Sequence, residues 1–416
     1  MAREPGALAI DAEEVQRRIE DLGEIGNDPE AGRWLALYSP AWEQGMALVR
    51  GWMEQAGLVT RVDAVGNLYG RLEGREGGDA ILTGSHIDTV PNGGRYDGQL
   101  GVHAALAAVA ALKRAHGQPR RTLEVTVICD EEGSRFISDY FGSRAIAGFA
   151  TAAELETCRD RDGVTMAEGM RRVGLDPARL AEARRDDVAA WIELHIEQGG
   201  TLEAEGLDLG IVHTITGMRE QRVRVLARQD HAGVTPMDAR VDGMAAAADM
   251  IREALHVARQ MGRPAVCTTG FVQAEPGDAS VVPGVVTFTQ DMRDADAARY
   301  AELCQTIAQA NQAAAERWGV RLEVETLNDH APVAMDAALQ AILQEEASRA
   351  GYRWKSMPSM AGHDAEIMAQ RWPSAMLFVP SHEGRSHTPA EFTPIEQVIP
   401  GVRVLAAALF RLAYAS

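Results

Sequence analysis

An α/β fold interrupted by a smaller α+β insert is predicted by three observations on this 416-residue chain. Apolar runs of strand length alternate with helical patterns through the first half, the order that a mostly parallel sheet with helices on its faces requires. Near Ile211 the pattern changes to strand, strand, helix, strand, strand, helix, strand. From about Asp329 the helix and strand alternation resumes. The predicted division is therefore one discontinuous domain, 1–211 and 329–416, with 212–328 inserted into it.

Each element has its own justification. "AILTGSHID" is a buried strand running out into a loop, and "QLGVHAALAAVAALKRAHG" carries apolar residues at helical spacing and stops at Gly117, a suitable C-terminus. "TLEVTVICDEEG" alternates Leu123, Val125 and Val127 before reaching a cluster of acids. "VAAWIELHIEQGG" puts Trp191, Glu193 and His195 on one face and Ile192, Leu194 and Ile196 on the other. The insert is expected to hold strands over Gly210–Thr216, Gln221–Ala227, "VVTFTQDMR" and "VRLEVETL", with helices over Met237–Gln260 and Ala297–Trp318. The last stretch supplies a helix ("LQAILQEEASRAG"), a strand ("SAMLFVPS") and a terminal helix from Pro394.

Composition narrows the function. With 41 basic against 60 acidic residues the formal charge is -19, which disfavours nucleic acid or an anionic membrane as a partner and favours a small ligand. The 4 cysteines are widely spaced with no CxxC pairing, so neither a disulfide framework nor a thiolate zinc site is suggested. The start lacks an apolar signal core, and no apolar run approaches the roughly 20 residues that span a bilayer. A cytoplasmic enzyme is the expectation.

Three predicted strand ends deliver His86, Glu131 with Glu132, and His195, and strand ends are where open α/β sheets bind ligands. His86 and Asp88 have the spacing of a metal-binding imidazole and the carboxylate that orients it, although His-x-Asp also caps turns. Asn92-Gly93-Gly94 needs unusual backbone angles or a close approach, and Asp97 at a helix start can direct its carboxylate back toward the same point. Glu131 and Glu132 are adjacent, so their side chains diverge and suit two roles, ligand and base; a solvated turn is the alternative. His195 sits among alternating apolar residues, as a ligand or as a core histidine. "FVPSHEGRSHTPAEFT" offers His382 and His387, either of which could complete the set. Three imidazoles, a bridging carboxylate and one further carboxylate make up a two-metal site of Zn or Mn type that activates water near neutral pH.

"TGSHIDTVPNGGRYDGQLGV", "DEEGSRF", "ELHIEQGG", "DHAGVTPMDAR", "AGHDAEIMA" and "EGRSHTPAEF" occur here in the order found in the amidase, hydantoinase/carbamoylase family, a branch of the M20 metallopeptidases. The resemblance runs from about residue 10 to 412. It implies two divalent metals per chain, Zn or Mn with Co or Ni as alternatives. His86 and His195 would hold one, Glu132 and His387 the other, with Asp97 bridging and Glu131 as general base. It also implies a discontinuous catalytic domain, and an inserted α+β (ferredoxin-like) domain that is both lid and dimerisation element. From the lid, His231 would enter the other subunit's active site and bind the oxyanion. Arg293 of "DMR" would clamp a substrate carboxylate, with polar help from Gln198 and the "VVPG" approach. The imidazole at position 195 favours amide or ureido substrates over peptides.

The chain departs from the family pattern at Ser280, where asparagine is common, and at Met360, where a small residue is common. Arg219 and Arg385 are further cations that would bind an acidic side chain or balance surface acids, and His363 with Asp364 would contact the ligands or the substrate. The resemblance thus implies a homodimeric hydrolase of a linear C–N bond in an N-carbamoyl-L-amino acid or related ureido acid. Its rivals are an allantoate or ureidoglycine-type amidohydrolase, an N-acyl amino acid or dipeptide hydrolase, and a ligand-binding homologue without catalysis. A pure binder has no use for Glu131.

Overall fold

A computed structural model describes residues 8–136 and 138–415, in two compact units. The first comprises the chain up to His213, Met335–Met357 and everything from His363 on. The second comprises Thr214–Ala334 with Pro358–Gly362.

The first unit is built on a mixed sheet whose strands lie in the order Val59–Val62, Leu68–Leu72, Leu123–Ile128, Ala80–His86, Val188–Ile196, Ser374–Val379, Leu209–Ile215. The four central strands, from Leu123–Ile128 to Ser374–Val379, run parallel; Leu68–Leu72 and Leu209–Ile215 on either side are antiparallel to them, and Val59–Val62 is antiparallel to Leu68–Leu72. Parallel strands need covered faces, and these are buried almost without interruption. Helix Gln99–His116 is buried along most of its length and packs on Ala80–His86, Val188–Ile196 and the terminal helix Ile395–Ala413. It stops at Gly117, as its sequence predicts. Because the four central strands are parallel, their carboxyl ends share one edge. Each end carries a chemical element: His86, the Asp130–Glu132 turn, His195 and the Ser381–His387 loop.

The second unit has an antiparallel sheet in the order Val266–Thr268, Val285–Asp294, Gly217–Leu226, Arg321–His330, with Val272–Glu275 also paired to Val285–Asp294. Helices Gly243–Met261 and Ala297–Trp318 pack on one face, around Val223, Val225, Val286 and Phe288. That chain order and strand order are those of the ferredoxin-like βαββαβ unit. The first helix begins at Gly243 and not at Met237: Asp242 accepts the Met244 and Ala245 N–H groups and sets the start, while Met237–Ala239 forms only a short 3-10 turn. Gly217–Leu226 starts earlier than the expected Gln221 because its polar residues pair across the sheet with Arg321–His330. No helix among the described residues is long and apolar enough to cross a membrane.

Candidate metal centre and active site

Backbone carbonyls fix the orientation of two histidines. The Nδ1 of His86 lies 3.0 Å from the carbonyl oxygen of Asp88, and that of His195 lies 2.9 Å from the carbonyl of Ile196. A carbonyl only accepts, so both rings hold the proton on Nδ1 and aim the Nε2 lone pair into the site. The expected orienting group on His86 was the Asp88 carboxylate. It stands 3.8 Å away and instead accepts the Glu132 N–H at 3.1 Å, while the Asp88 main chain does the orienting. His86 Nε2 is buried with no hydrogen-bond partner among the described residues, the condition of a ligand atom awaiting a cation.

Asp97 stands between two clusters. Its Oδ1 is 3.2 Å from His195 Nε2 and 3.8 Å from His86 Nε2, and its Oδ2 is 3.3 Å from His387 Nε2. His387 Nε2 is in turn 3.5 Å from Glu132 Oε2. Within each of the groups His86–Asp97–His195 and Asp97–Glu132–His387, the ligand atoms lie within 4.8 Å of one another. Glu131 turns the other way from Glu132, its Oε2 3.6 Å from His86 Nε2. The adjacent glutamates therefore diverge, as their positions at a strand end predict.

The electrostatics suit cations. Burial pushes Glu131 well above the usual carboxylate range, reinforced by Glu132, Asp364, Asp97 and Asp88, and burial beside Asp97 raises Glu132 as well. Burial also works against ionised Asp97, but hydrogen bonds from His195 and His387 overcome it and hold that carboxyl well below its ordinary value. Burial opposes charge on His195 too, yet the hydrogen bond and charge of Asp97 lift it to about 9. His387 rises to about 9, first through its bond to Asp97. At His195 the Gly98 N–H, 3.1 Å away, calls for a lone pair on Nε2 while Asp97 calls for a positive charge there. A cation would take the place of the proton on that lone pair and answer the charge of Asp97, because metals and protons compete for the same lone pair.

The strands alone do not make the site; strained turns finish it. Asp130, Gln198 and His387 all have positive φ, at 58°, 58° and 56°, although none is glycine. Such residues gather where surrounding structure enforces a functional geometry. Gly98, at φ +65°, is required outright: a Cβ there would lie 2.3 Å from the His86 ring.

The other expected residues are placed as follows. Gln198 donates from Nε2 to Asp97 Oδ2 at 2.7 Å. His363 is buried, edge-on to His195 with ring centroids 4.5 Å apart, and burial, then the charge of His195, keeps it neutral. His382 is not drawn into the ligand set; it pairs with Glu203 at 2.9 Å. In the second unit, Arg293 forms a two-pronged pair with Asp291, Nε to Oδ1 and Nη2 to Oδ2 both at 2.8 Å, and donates to the Met360 carbonyl at 3.1 Å. Arg219 is ion-paired with Asp329 at 2.7 Å. Ser280 folds onto Asp278 through both its N–H and its hydroxyl, and its carbonyl accepts the Ala232 N–H. Its neighbour Val281 pairs with His231, so the Ser280 segment is the platform of the His231 loop. Gly233 donates its N–H to His231 Nδ1 at 3.0 Å, which leaves the exposed ring with its proton on Nε2, the tautomer of a hydrogen-bond donor.

Glu391 and Ser386 were missed. Glu391 Oε1 accepts the N–H groups of Tyr96 and Asp97, and the Ser386 hydroxyl lies between Glu391 and Asp97. Both stand in the "GRSHTPAEF" stretch, where a hydroxyl beside a candidate ligand and an acid four residues after it were the available signal.

Two donor groups that share one carboxylate, set at the carboxyl edge of the parallel strands, could hold a metal ion. The comparisons with known proteins place the chain. The model of the peptidase family M20/M25/M40 matches residues 82–411, and the chain belongs to that family. It is 39% identical to the allantoate amidohydrolase of Escherichia coli (strain K12) over 96% of this chain and 98% of that one. It is 38% identical to the N-carbamoyl-L-amino acid amidohydrolase of Geobacillus stearothermophilus, over 97% and 99%. A solved hydantoinase/carbamoylase-family amidase from Burkholderia multivorans superposes with a TM-score of 0.89 at 31% identity, covering 97% of this chain and 98% of its own. The chain is an M20-group hydrolase of non-peptide C–N bonds.

Proposed function

We propose that the chain hydrolyses the ureido C–N bond of an N-carbamoyl-L-amino acid or closely related ureido acid, as a homodimer. The observation that carries this is the joint presence of the shared-carboxylate donor set and of a guanidinium, Arg293, fixed in position by Asp291 and of the planar kind that pairs with carboxylates.

His86 and His195 would hold one divalent ion, Glu132 and His387 a second, with Asp97 common to both; Zn or Mn suits this mixture of imidazole and carboxylate. Such ions, when bound, polarise the scissile carbonyl and acidify water. Glu131, directed into the cluster but apart from the second donor group, takes the proton of the attacking water and delivers it to the departing nitrogen. His231 presents Nε2–H to the oxygen on which charge develops. Arg293 pairs with the substrate carboxylate. For a carbamoyl substrate the products are the amino acid, ammonia and carbon dioxide.

The dimer reading assigns the insert as lid and contact surface, with His231 acting in the opposite subunit. Its support is an edge strand, Arg321–His330, with Val324 and Leu327 53% and 39% exposed, since long exposed edges are ordinarily covered. Allantoate is the second substrate to test, because the relative at 39% identity is named for it.

The experiment is ammonia release by Mn- or Zn-loaded protein on N-carbamoyl L- and D-amino acids, 3-ureidopropionate and allantoate, each against a chelator-treated control. Metal-dependent release from the carbamoyl L-amino acids is expected. Release from allantoate alone would move the assignment to that substrate, and silence across the panel would turn it to N-acyl or dipeptide amides.

A further inference from the structure

We propose that Glu391 and Ser386 are positioning residues that lock Asp97 between the two ligand clusters and fasten its loop to the loop carrying His387. The inference rests on the metallohydrolase reading above and extends it to residues that would touch neither ion nor substrate.

Glu391 is 5% exposed, yet both its oxygens are engaged. Oε1 accepts the N–H of Tyr96 at 2.7 Å and of Asp97 at 2.9 Å, two main-chain donors just ahead of helix Gln99–His116. Oε2 lies 2.9 Å from Ser386 Oγ, and that same hydroxyl lies 2.6 Å from Asp97 Oδ2. Glu391 therefore holds Asp97 at its backbone directly, while the Ser386 hydroxyl, with one proton to give, donates to Asp97 Oδ2 at the shorter distance and stands beside Glu391 Oε2. A lone hydrogen bond leaves a carboxylate free to rotate about its Cα–Cβ bond; two attachments at opposite ends remove that freedom. The cost of holding an ion is lower when the ligand is already immobile.

The surroundings are arranged to admit Glu391. A Cβ on Gly94 would fall 2.2 Å from Oε1, so only glycine leaves room for the carboxylate. The Gly94 carbonyl is in turn held by the buried guanidinium of Arg33, which also donates to Leu22 O and Gln99 Oε1. At the other end Ser386 immediately precedes His387, whose positive φ of 56° is a conformation a histidine keeps only when its neighbours hold it. The arrangement thus joins the Asp97 loop to the His387 loop, through buried contacts at Glu391 Oε1 and part-buried ones at Ser386.

The test compares wild type with Ser386→Ala, Glu391→Gln and Glu391→Ala. Metal per chain is measured after loading with Mn or Zn, together with competition against a chromophoric chelator and melting of the metal-free protein. A roughly 10- to 100-fold loss of affinity for at least one ion is expected in Glu391→Ala. Ser386→Ala is expected to lose about 10-fold with metal-free melting unchanged, a combination that a purely structural role does not produce. Should Glu391→Ala fail to fold, Ser386→Ala and Glu391→Gln carry the test. Chelator competition equal to wild type in folded Ser386→Ala and Glu391→Gln would overturn the proposal. A wild type that binds no metal and hydrolyses ureido acids after chelation would instead overturn the metallohydrolase reading itself.

Discussion

Gly98→Ala tests how little slack the ligand cluster has. Gly98 follows Asp97 at φ +65° and ψ -50°, a γ-turn conformation that is rare and strained for an L-residue. Its new methyl would sit 2.3 Å from Cε1 and Nε2 of His86 and 2.4 Å from Cδ2. Carbon atoms settle at roughly 3.5–4.0 Å, so the ring or the backbone must give way by about 1.2 Å or more. The ring is held by its bond to the Asp88 carbonyl, and the backbone carries Asp97, so either retreat moves a proposed metal ligand. A displacement of about 1 Å at a reacting centre costs on the order of 100-fold. The variant should therefore remain folded by circular dichroism, bind metal at least ~10-fold more weakly in chelator competition, and lose about 100-fold in kcat. Full metal content with wild-type kcat would show that the cluster tolerates ångström shifts, and would refute the geometric reasoning from which this prediction follows.

Four further outcomes are expected. Glu131→Gln should keep its metal and lose about 10²- to 10⁴-fold in turnover, checked by metal analysis alongside ammonia release. His231→Ala should lower kcat by roughly 10²- to 10³-fold with the proposed dimer intact by light scattering, and unchanged kinetics would remove the proposed oxyanion role. Arg293→Lys keeps the charge but not the planar fork that meets Asp291; KM for a carboxylate substrate should rise by about 10-fold or more with kcat less affected. The last concerns His103, fully buried with neither ring nitrogen hydrogen-bonded among the described residues and held down to about 3 by burial, then by Arg18 and Arg33. Its folded value lies below the unfolded one of about 6.5, so only the unfolded chain takes the proton as pH falls and stability drops below pH 6.5. Between pH 7.5 and 5.0 this amounts to about 2 kcal/mol, which His103→Leu should abolish in urea unfolding.

Most of the first unit was legible because parallel strands advertise themselves. "AILTGSHID", "TLEVTVICDEEG" and "VAAWIELHIEQGG" are apolar runs that end in chemistry, and once the sheet is parallel those ends must lie on one edge. The clustering of His86, Glu131, Glu132 and His195 follows from topology more than from any one motif. Asp97 and His387 lie on loops, and the ordered motif set pointed to them where periodicity was silent. Helix starts depended on single side chains, and so the expected start at Met237 was too early: Asp242 caps the helix at Gly243.

What stayed hidden was hidden for a physical reason. The main-chain carbonyl of Asp88 orients His86, and every residue has a carbonyl; nothing in the letters marks one as the acceptor. Glu391 and the Asp97 N–H it holds are 294 positions apart, and a glutamate in a polar loop looks like any solvated acid until the fold closes over it. Gly94 carries the same lesson in reverse: in sequence it belongs to an Asn-Gly-Gly turn, whereas in the fold its missing side chain is the space that Glu391 occupies. A sequence displays groups that do chemistry, because the chemistry restricts residue type. Groups that hold the chemistry in place need only a donor, an acceptor or a gap at the right point, and that point exists only after the chain has folded.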